Sequence, residues 1–186
     1  MRSARSQKQG RNTLGTRETT NPAEWVAFQT CAGWMEIAFS SRGLTAVILP
    51  LSDSDRIEEH FSYKKCRLPV PDARLADIRG RFEAYFSGRP VDFPDEVDLS
   101  AHTPFQQKVW QALRMIPRGQ TRSYQWVANT IGMPSAARAV GQAVGRNPLP
   151  IVIPCHRVIA ADGGIGGFTG GLVLKRRLLM LEGITI

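Results

Sequence analysis

The sequence predicts an α+β protein with short strands in its N-terminal half and mainly helices in its C-terminal half. Alternating apolar runs separated by Gly-containing turns occupy residues 25–49, as in short strands. From residue 73 onward, apolar side chains recur at helical spacing. Between residues 123 and 145, two helical patterns flank a tight turn, which indicates a helix-turn-helix. A chain of 186 residues, 42% hydrophobic, can form one medium domain or two small ones.

The first half of the chain contains a polar tail, three strands and one helix. Residues 1–22 have almost no large apolar side chains, so we expect a flexible basic tail. A helix is predicted over Ala73–Phe86, where Ser87-Gly88 marks its end. We expect an N-terminal α/β domain over residues 23–89 and a Pro- and Asp-rich linker over 90–102. The predicted strands are Trp25–Phe28, Trp34–Phe39 and Leu44–Leu49.

Three helices open the C-terminal domain, predicted over residues 103–186. Thr103 caps the first helix, and Ser123 caps the second, which runs to about Ile131. The third begins at Pro134 and consists almost wholly of Ala, Gly and Val. Such a helix can approach the minor groove of DNA closely or pack tightly on another helix, and its composition leaves both open. Met133 stands at its N-cap position without a polar side chain, so no capping or phosphate contact is expected there.

The charge distribution separates the two halves of the chain. Residues 104–186 contain ten Lys and Arg against two acidic residues, whereas residues 21–103 contain nine against thirteen. This asymmetry indicates a polyanion-binding C-terminal part, although charge alone leaves a merely solvated basic surface open. Three scattered cysteines and the lack of a long apolar run predict a cytoplasmic protein without disulfides or membrane contact.

A Cys-His-Arg cluster lies between two apolar arms. The run Leu149–Ile153 predicts a buried strand that Pro154 ends. Cys155 and His156 follow at once, and positive charge beside a thiol favours the reactive thiolate. Taken alone, the pair is more often a structural cysteine than a nucleophile.

The wider stretch RAVGQAVGRNPLPIVIPCHRV, residues 138–158, resembles the O6-alkylguanine-DNA alkyltransferases, also called methylated-DNA–protein-cysteine methyltransferases. PCHRV is the active-site signature of that family, and it occurs here with the Asn147-Pro148 pair and the GGL…LLMLEG tail. The resemblance is strong over Thr103–Gly183 and absent from the first twenty residues. It implies a ribonuclease-H-like N-terminal domain with no catalytic role and a winged-helix-like C-terminal domain. One departure is Gly145-Arg146, where many relatives have the basic residue one place earlier.

The resemblance also implies the activity and the catalytic residues. The alkyl group of O6-alkylguanine, and as a further candidate O4-alkylthymine, passes from duplex DNA to Cys155 once, after the base is flipped through the minor groove. We expect a monomer that needs no cofactor. The resemblance implies a Cys–water–His–Glu chain, and Arg157 is expected to pair structurally. The expected catalytic residues are Cys155, His156, Glu182, Tyr124, which protonates the leaving guanine, and Asn147, which ties the third helix to the active-site strand.

Other residues are expected to contact DNA or line the pocket. Arg138 is implied to fill the space that the flipped nucleotide leaves. The expected DNA-contacting residues are Arg138, Ala136, Ala137, Ser123, Gln125 and Gly141. A glycine-rich loop, residues 162–171, is expected to form a pocket wall, and the expected pocket residues are Val144, Phe168 and Thr169. A final helix is predicted over Leu172–Leu181, with Lys175, Arg176 and Arg177 on its polar side. No metal site is expected, because His60, His102, Cys31 and Cys66 lack the spacing of zinc ligands.

Two other functions fit parts of the pattern. A non-catalytic, lesion-sensing DNA-binding protein of the same fold is expected to lack the reactive cysteine, which is present here as Cys155. A cysteine hydrolase that turns over would need an oxyanion hole and a separately placed histidine. Intact mass after incubation with alkylated duplex would separate these three functions.

Overall fold

The computed structural model describes residues 24–50 and 73–186, and the side chains of residues 73 and 74 are outside the description. The predicted tail and Cys66 therefore lie outside the described residues. The N-terminal half contains a three-stranded antiparallel sheet whose strands lie in chain order, with Phe28 paired to Met35 and Ile37 to Val47. The three predicted strands are confirmed as β1 (Glu24–Thr30), β2 (Gly33–Ser40) and β3 (Gly43–Ile48).

Helix α1 (Ala73–Phe86) packs against this sheet and has the bounds predicted from its apolar spacing. The Phe82 ring lies 6.1 Å from that of Phe28 and 4.9 Å from that of Phe93, centroid to centroid. Gly88 follows the helix with φ of +76°, a left-handed conformation that favours glycine and ends the helix. The helix therefore ends directly after its last turn, which contains the buried Tyr85.

The predicted linker is hydrogen-bonded to the sheet. Leu44 N–H donates to the Glu96 carbonyl at 2.9 Å, and Asp98 N–H donates to the Leu44 carbonyl at 2.8 Å. Gly43 stands where a Cβ would collide with the Glu96 backbone, so only glycine permits this close approach. The segment continues the sheet at β3 and leads directly into the C-terminal half.

Four helices form the framework of the C-terminal half: α2 (Pro104–Arg114), α3 (Tyr124–Thr130), α4 (Ala137–Gly145) and α5 (Leu172–Leu181). Thr103 and Gln106 form a capping box at α2, and the Ser123 hydroxyl accepts from Trp126 N–H at α3. A turn containing Gly132 and a short 3-10 helix, Pro134–Ala136, joins α3 to α4. Met133 provides no side-chain cap, as its apolar side chain predicts.

Two short strands bring distant segments of the C-terminal half together. Strand β4 (Arg122–Ser123) pairs in parallel with β5 (Val158–Ile159). The first links to the start of α3 and the second follows Cys155 directly. This pairing places the first turn of α3 beside the Cys155 segment.

The predicted strand over Leu149–Ile153 is wrong. The segment is a buried turn closed by a 2.7 Å hydrogen bond from Ile153 N–H to the Leu149 carbonyl. Ile151 has φ of +75°, a left-handed conformation that no strand residue adopts. Pro150 has no N–H for a strand ladder, and the apolar side chains are buried without one. The apolar run therefore indicates that the segment is buried, but it does not indicate an extended backbone.

The assignment of Lys175 to the polar side of the last helix is also wrong. Its side chain is fully buried, and its Nζ donates to the Val158 carbonyl at 2.6 Å and to the Gly167 carbonyl at 3.2 Å. Lys175 lies three and four residues before Leu178 and Leu179, which places it on the buried face.

Within the described residues, no helix has the length and apolar character needed to cross a membrane.

Candidate functional site

Cys155 lines a cavity of about 670 Å³ to which both halves of the chain contribute residues. It begins a short 3-10 helix, Cys155–Arg157, and is 5% exposed. This turn replaces the extended backbone that would send Cys155 and His156 to opposite faces. The predicted pocket residues Val144, Phe168 and Thr169 all line the cavity, as do residues 46–49 of the β3 segment.

The Cys155 thiol has opposing influences on its ionisation. Burial raises the pKa of the thiol, whereas a hydrogen bond from the Asn147 side chain and the positive charge of Lys175 lower it. Burial prevails, so the thiol is protonated at neutral pH. A nucleophilic reaction of Cys155 therefore needs a nearby base to take its proton.

His156, Glu182 and Arg157 form a buried ion-paired group behind Cys155. His156 Nε2 donates to Glu182 Oε1 at 2.8 Å, and both side chains have no exposed surface. Arg157 donates from Nε to Glu182 Oε2 at 2.8 Å and from Nη2 to Oε1 at 3.0 Å. Arg157 also donates to the Ile116 carbonyl at 2.5 Å, which anchors the group to the end of α2.

These contacts shift the protonation of the pair in a defined direction. Burial lowers the pKa of His156, and the Glu182 carboxylate only partly offsets it. Burial alone would raise the pKa of Glu182, but hydrogen bonds from His156 and Arg157 hold it well below its ordinary range. With its proton on Nε2, neutral His156 presents Nδ1 as an acceptor, and no group in the described part of the chain hydrogen-bonds to that atom.

Tyr124 and Asn147 complete the cavity around Cys155. A Cβ at Gly166 would lie 3.1 Å from the Tyr124 hydroxyl, tighter than an ordinary contact, so glycine at this position makes room for the tyrosine. Burial raises the pKa of Tyr124, which keeps its hydroxyl a proton donor. Asn147 Nδ2 donates to the Ile153 carbonyl at 2.7 Å, and its Oδ1 accepts from Leu149 N–H at 3.0 Å. Asn147 therefore connects the end of α4 to the buried turn before Cys155.

Comparison with known proteins places this arrangement in a family. Residues 104–184 match the family described as 6-O-methylguanine DNA methyltransferase, DNA binding domain. A methylated-DNA–protein-cysteine methyltransferase of Mycobacterium leprae is 52% identical over 132 residues, covering 71% of this chain and 79% of that protein. The inducible one of Bacillus subtilis is 39% identical over 171 residues, covering 89% and 93%. The chain belongs to the methylated-DNA–protein-cysteine methyltransferase family.

Solved structures of this family have the same overall fold. The crystal structure of Mycobacterium tuberculosis OGT in complex with DNA has a TM-score of 0.69 and 40% identity, covering 86% of this chain and 92% of that one. The methyltransferase of Pyrococcus kodakaraensis has a TM-score of 0.61 and 30% identity, covering 86% and 99%. The mixed α and β fold and the family resemblance predicted from the sequence are confirmed. The predicted enzyme class agrees with the names of these relatives.

The residues expected to contact DNA lie on or beside the α3–α4 unit. Arg138 is exposed on α4, and Ala136 and Ala137 are half-buried at its start. Several of the six also have contacts within the protein: Ser123 caps α3, Gln125 Nε2 donates to the Pro134 carbonyl at 2.7 Å, Ala137 packs against the core, and Gly141 lies beside the Tyr124 ring. Arg138 is therefore the long cationic side chain of this set that projects outward from α4.

Two buried residues near the site were missed in the sequence. Lys175 lies close enough to Cys155 for each charge to shift the pKa of the other, and burial lowers the pKa of Lys175 to about 8. Its spacing from Leu178 and Leu179 was a usable signal. Tyr85 hydrogen-bonds to both His156 and Glu182, and its spacing on α1 indicated only a core aromatic.

Among the residues that the structure describes, no three His, Cys, Asp or Glu side chains cluster as metal ligands would.

Proposed function

We propose that this member of the methyltransferase family repairs DNA by moving the alkyl group of O6-alkylguanine onto Cys155 in a single turnover. The observation that carries the proposal is that the buried Cys155 lines the cavity. Tyr124 also lines the cavity, and the buried His156–Glu182 pair includes the residue that directly follows Cys155. Such a cavity can hold a purine between apolar walls while presenting its alkyl group to sulfur.

The reaction is a displacement at the alkyl carbon. The sulfur of Cys155 attacks that carbon, an S–C bond forms, and the C–O6 bond to guanine breaks. The thiol proton passes through a water molecule to Nδ1 of His156, and Glu182 stabilises the imidazolium that results. The guanine anion that leaves takes a proton from the Tyr124 hydroxyl. The Tyr124 phenolate then regains a proton from solvent as the His156 imidazolium releases one, so the net products are the thioether and neutral guanine. A thioether cannot release its alkyl group by reversal at useful rates, so each molecule reacts once.

The buried position of Cys155 requires the target base to leave the duplex. O6 of guanine lies inside the base stack, and a thiol that is 5% exposed cannot reach it there. We propose that α4 approaches the minor groove, because its outer face offers small residues and one exposed arginine, Arg138. Arg138 then fills the space that the flipped nucleotide leaves. The relative whose structure contains DNA supports a DNA-binding role for this fold. O4-alkylthymine offers the same alkyl–oxygen bond and is a second candidate substrate.

The proposal extends to domain organisation. The N-terminal domain, residues 23–89, is ribonuclease-H-like, and residues 90–102 connect it to a winged-helix-like domain of residues 103–186. The protein acts as a monomer on double-stranded DNA. A lesion sensor without chemistry remains the alternative, and the presence of Cys155 in a shielded cavity favours transfer over sensing.

Substitution of the proposed nucleophile tests the function. Cys155→Ser should abolish transfer of a labelled methyl group from duplex DNA, because a serine hydroxyl at the same place is not ionised by a histidine base to a comparable extent. Its DNA affinity should stay within a few-fold of wild type. Cys31→Ser is the matched control, because Cys31 is exposed and far from Cys155 in the sequence. This variant should transfer the methyl group at the wild-type rate. Transfer by Cys155→Ser, or label found on Cys31, would contradict the assignment.

A further inference from the structure

Tyr85 connects the N-terminal half of the chain to the buried pair behind the nucleophile. Its hydroxyl donates to Glu182 Oε1 at 2.9 Å and lies 3.2 Å from His156 Nε2. The side chain is 1% exposed, and its ring meets the His156 ring edge-on, with centroids 6.3 Å apart. The hydroxyl therefore touches both the carboxylate and the imidazole, at the atoms through which these two groups bind each other.

The position of Tyr85 is fixed from its other side by Arg118. The Arg118 guanidinium lies over the Tyr85 ring, 5.7 Å from its centroid. Arg118 Nη2 donates to the Gly88 carbonyl at 2.9 Å and also to the Leu181 carbonyl. The end of α1 and the end of α5 are thereby joined by one side chain, with Tyr85 and Glu182 between them.

The hydroxyl is well suited to hold the carboxylate. Burial and the neighbouring Glu182 charge raise the pKa of Tyr85 far above its ordinary value, so the group stays a donor throughout the neutral range. With Tyr85 and Arg157 both donating to Glu182 Oε1, that oxygen has a fixed place opposite His156 Nε2. A fixed carboxylate keeps the histidine proton on Nε2 and leaves Nδ1 to accept a proton.

We propose that Tyr85 is a positioning residue for alkyl transfer, acting through Glu182 on His156. The inference rests on the proposed function and departs from the implied absence of a catalytic role for the N-terminal domain. Tyr85 does not touch the substrate cavity. Its contribution is to hold the base of the reaction in one tautomer and one orientation.

A double-mutant cycle tests this role with full-length protein. Tyr85→Phe keeps the ring and removes only the hydroxyl, so it should slow transfer about ten-fold, the scale expected when a general base is misoriented. The loss should be equal for alkylated duplex and for free O6-benzylguanine, with DNA affinity unchanged. In a His156→Gln background, Tyr85→Phe should have little further effect, because the group on which it acts is gone.

Phe82→Leu is the matched control on the same helix, since Phe82 is buried and contacts other rings. Its effect on transfer should be small and should add to that of His156→Gln. Melting curves verify that each variant folds, and His156→Asn replaces His156→Gln if the latter does not. The rate–pH profile of Tyr85→Phe alone is a second measurement, and its acid-limb midpoint should differ from that of wild type.

A wild-type transfer rate in Tyr85→Phe would overturn the proposal, as would full additivity with the His156 variant or an unchanged midpoint. These outcomes are distinct from failure of the proposed function, which would appear as absence of transfer by the wild-type protein. If wild type transfers and Tyr85→Phe does so equally, only the positioning role is lost.

Discussion

The buried Glu182 carboxylate is the most informative place to perturb the stability of the site. It accepts four hydrogen bonds: from Tyr85, from His156 and two from Arg157. Glu182→Gln keeps the size of the side chain and removes its charge. Whichever way the new amide turns, its NH₂ faces at least one N–H or O–H donor, so at least one contact becomes repulsive.

The expected loss of stability follows from the burial of these groups. Breaking a buried ion pair costs about 3–5 kcal/mol, because the remaining charge is left without its partner. Arg157 is 13% exposed and keeps the Ile116 carbonyl, so we expect the low end, about 3 kcal/mol. For a chain of this size, that loss corresponds to a decrease in Tm of about 6–12 °C.

Urea unfolding followed by circular dichroism at several pH values provides the assay. The folded-state pKa of Glu182 lies below its unfolded value, so its stabilisation is present above pH 4.5 and is lost as pH falls below it. The difference between wild type and Glu182→Gln should therefore be largest near neutral pH and shrink below pH 4.5. Glu96→Gln is the matched control, because Glu96 is exposed, and it should change little. A Glu182→Gln protein within about 0.5 kcal/mol of wild type at pH 7 would refute the reasoning.

Three further predictions concern DNA and pH. Arg138→Ala should slow transfer from duplex DNA about ten-fold or more, because flipping the base costs a few kcal/mol that Arg138 partly offsets. Transfer from free O6-benzylguanine should not change. Equal slowing with both substrates would mean that Arg138 acts through the stability of the fold or the shape of the pocket and not through base flipping. Binding to duplex DNA, measured by fluorescence anisotropy, should weaken steeply with salt and show little sequence preference, and a salt-independent affinity would contradict minor-groove binding by the basic half. The transfer rate should fall only below pH 6.5, because burial lowers the pKa of His156 beneath that ordinary value; an acid-limb midpoint above pH 7 would exclude neutral His156 as the base.

Local signals in the sequence were sufficient for much of the framework. The bounds of α1 followed from apolar spacing and from a glycine that ends the helix. Thr103 and Ser123 were identified as caps because their hydroxyls precede helical patterns, and both accept the expected backbone N–H groups. These features depend on interactions within a few residues, which a sequence shows directly.

The remaining features depend on contacts between distant segments. The run before Cys155 is apolar because it is buried, and periodicity cannot distinguish a buried turn from a strand. The charge of Lys175 obscured its place on the apolar face, and two carbonyls far from it in sequence make its burial tolerable. No pattern on α1 indicates that the Tyr85 hydroxyl meets Glu182, 97 residues later. The family resemblance implied Glu182, Arg157 and Asn147 beside Cys155 and His156, but it did not indicate Tyr85 or Lys175.

The central claim is single transfer of an alkyl group to Cys155, and the mass of the intact protein tests it most directly. The protein is incubated with a molar excess of duplex DNA that carries one O6-methylguanine, and its mass is followed until no further change occurs. We predict a gain of one methyl group per molecule, located on the Cys155 peptide after digestion. No gain in mass with tight binding to the lesion would indicate a sensor, and loss of methyl from excess DNA without a modified protein would indicate turnover. Either result would contradict transfer to Cys155.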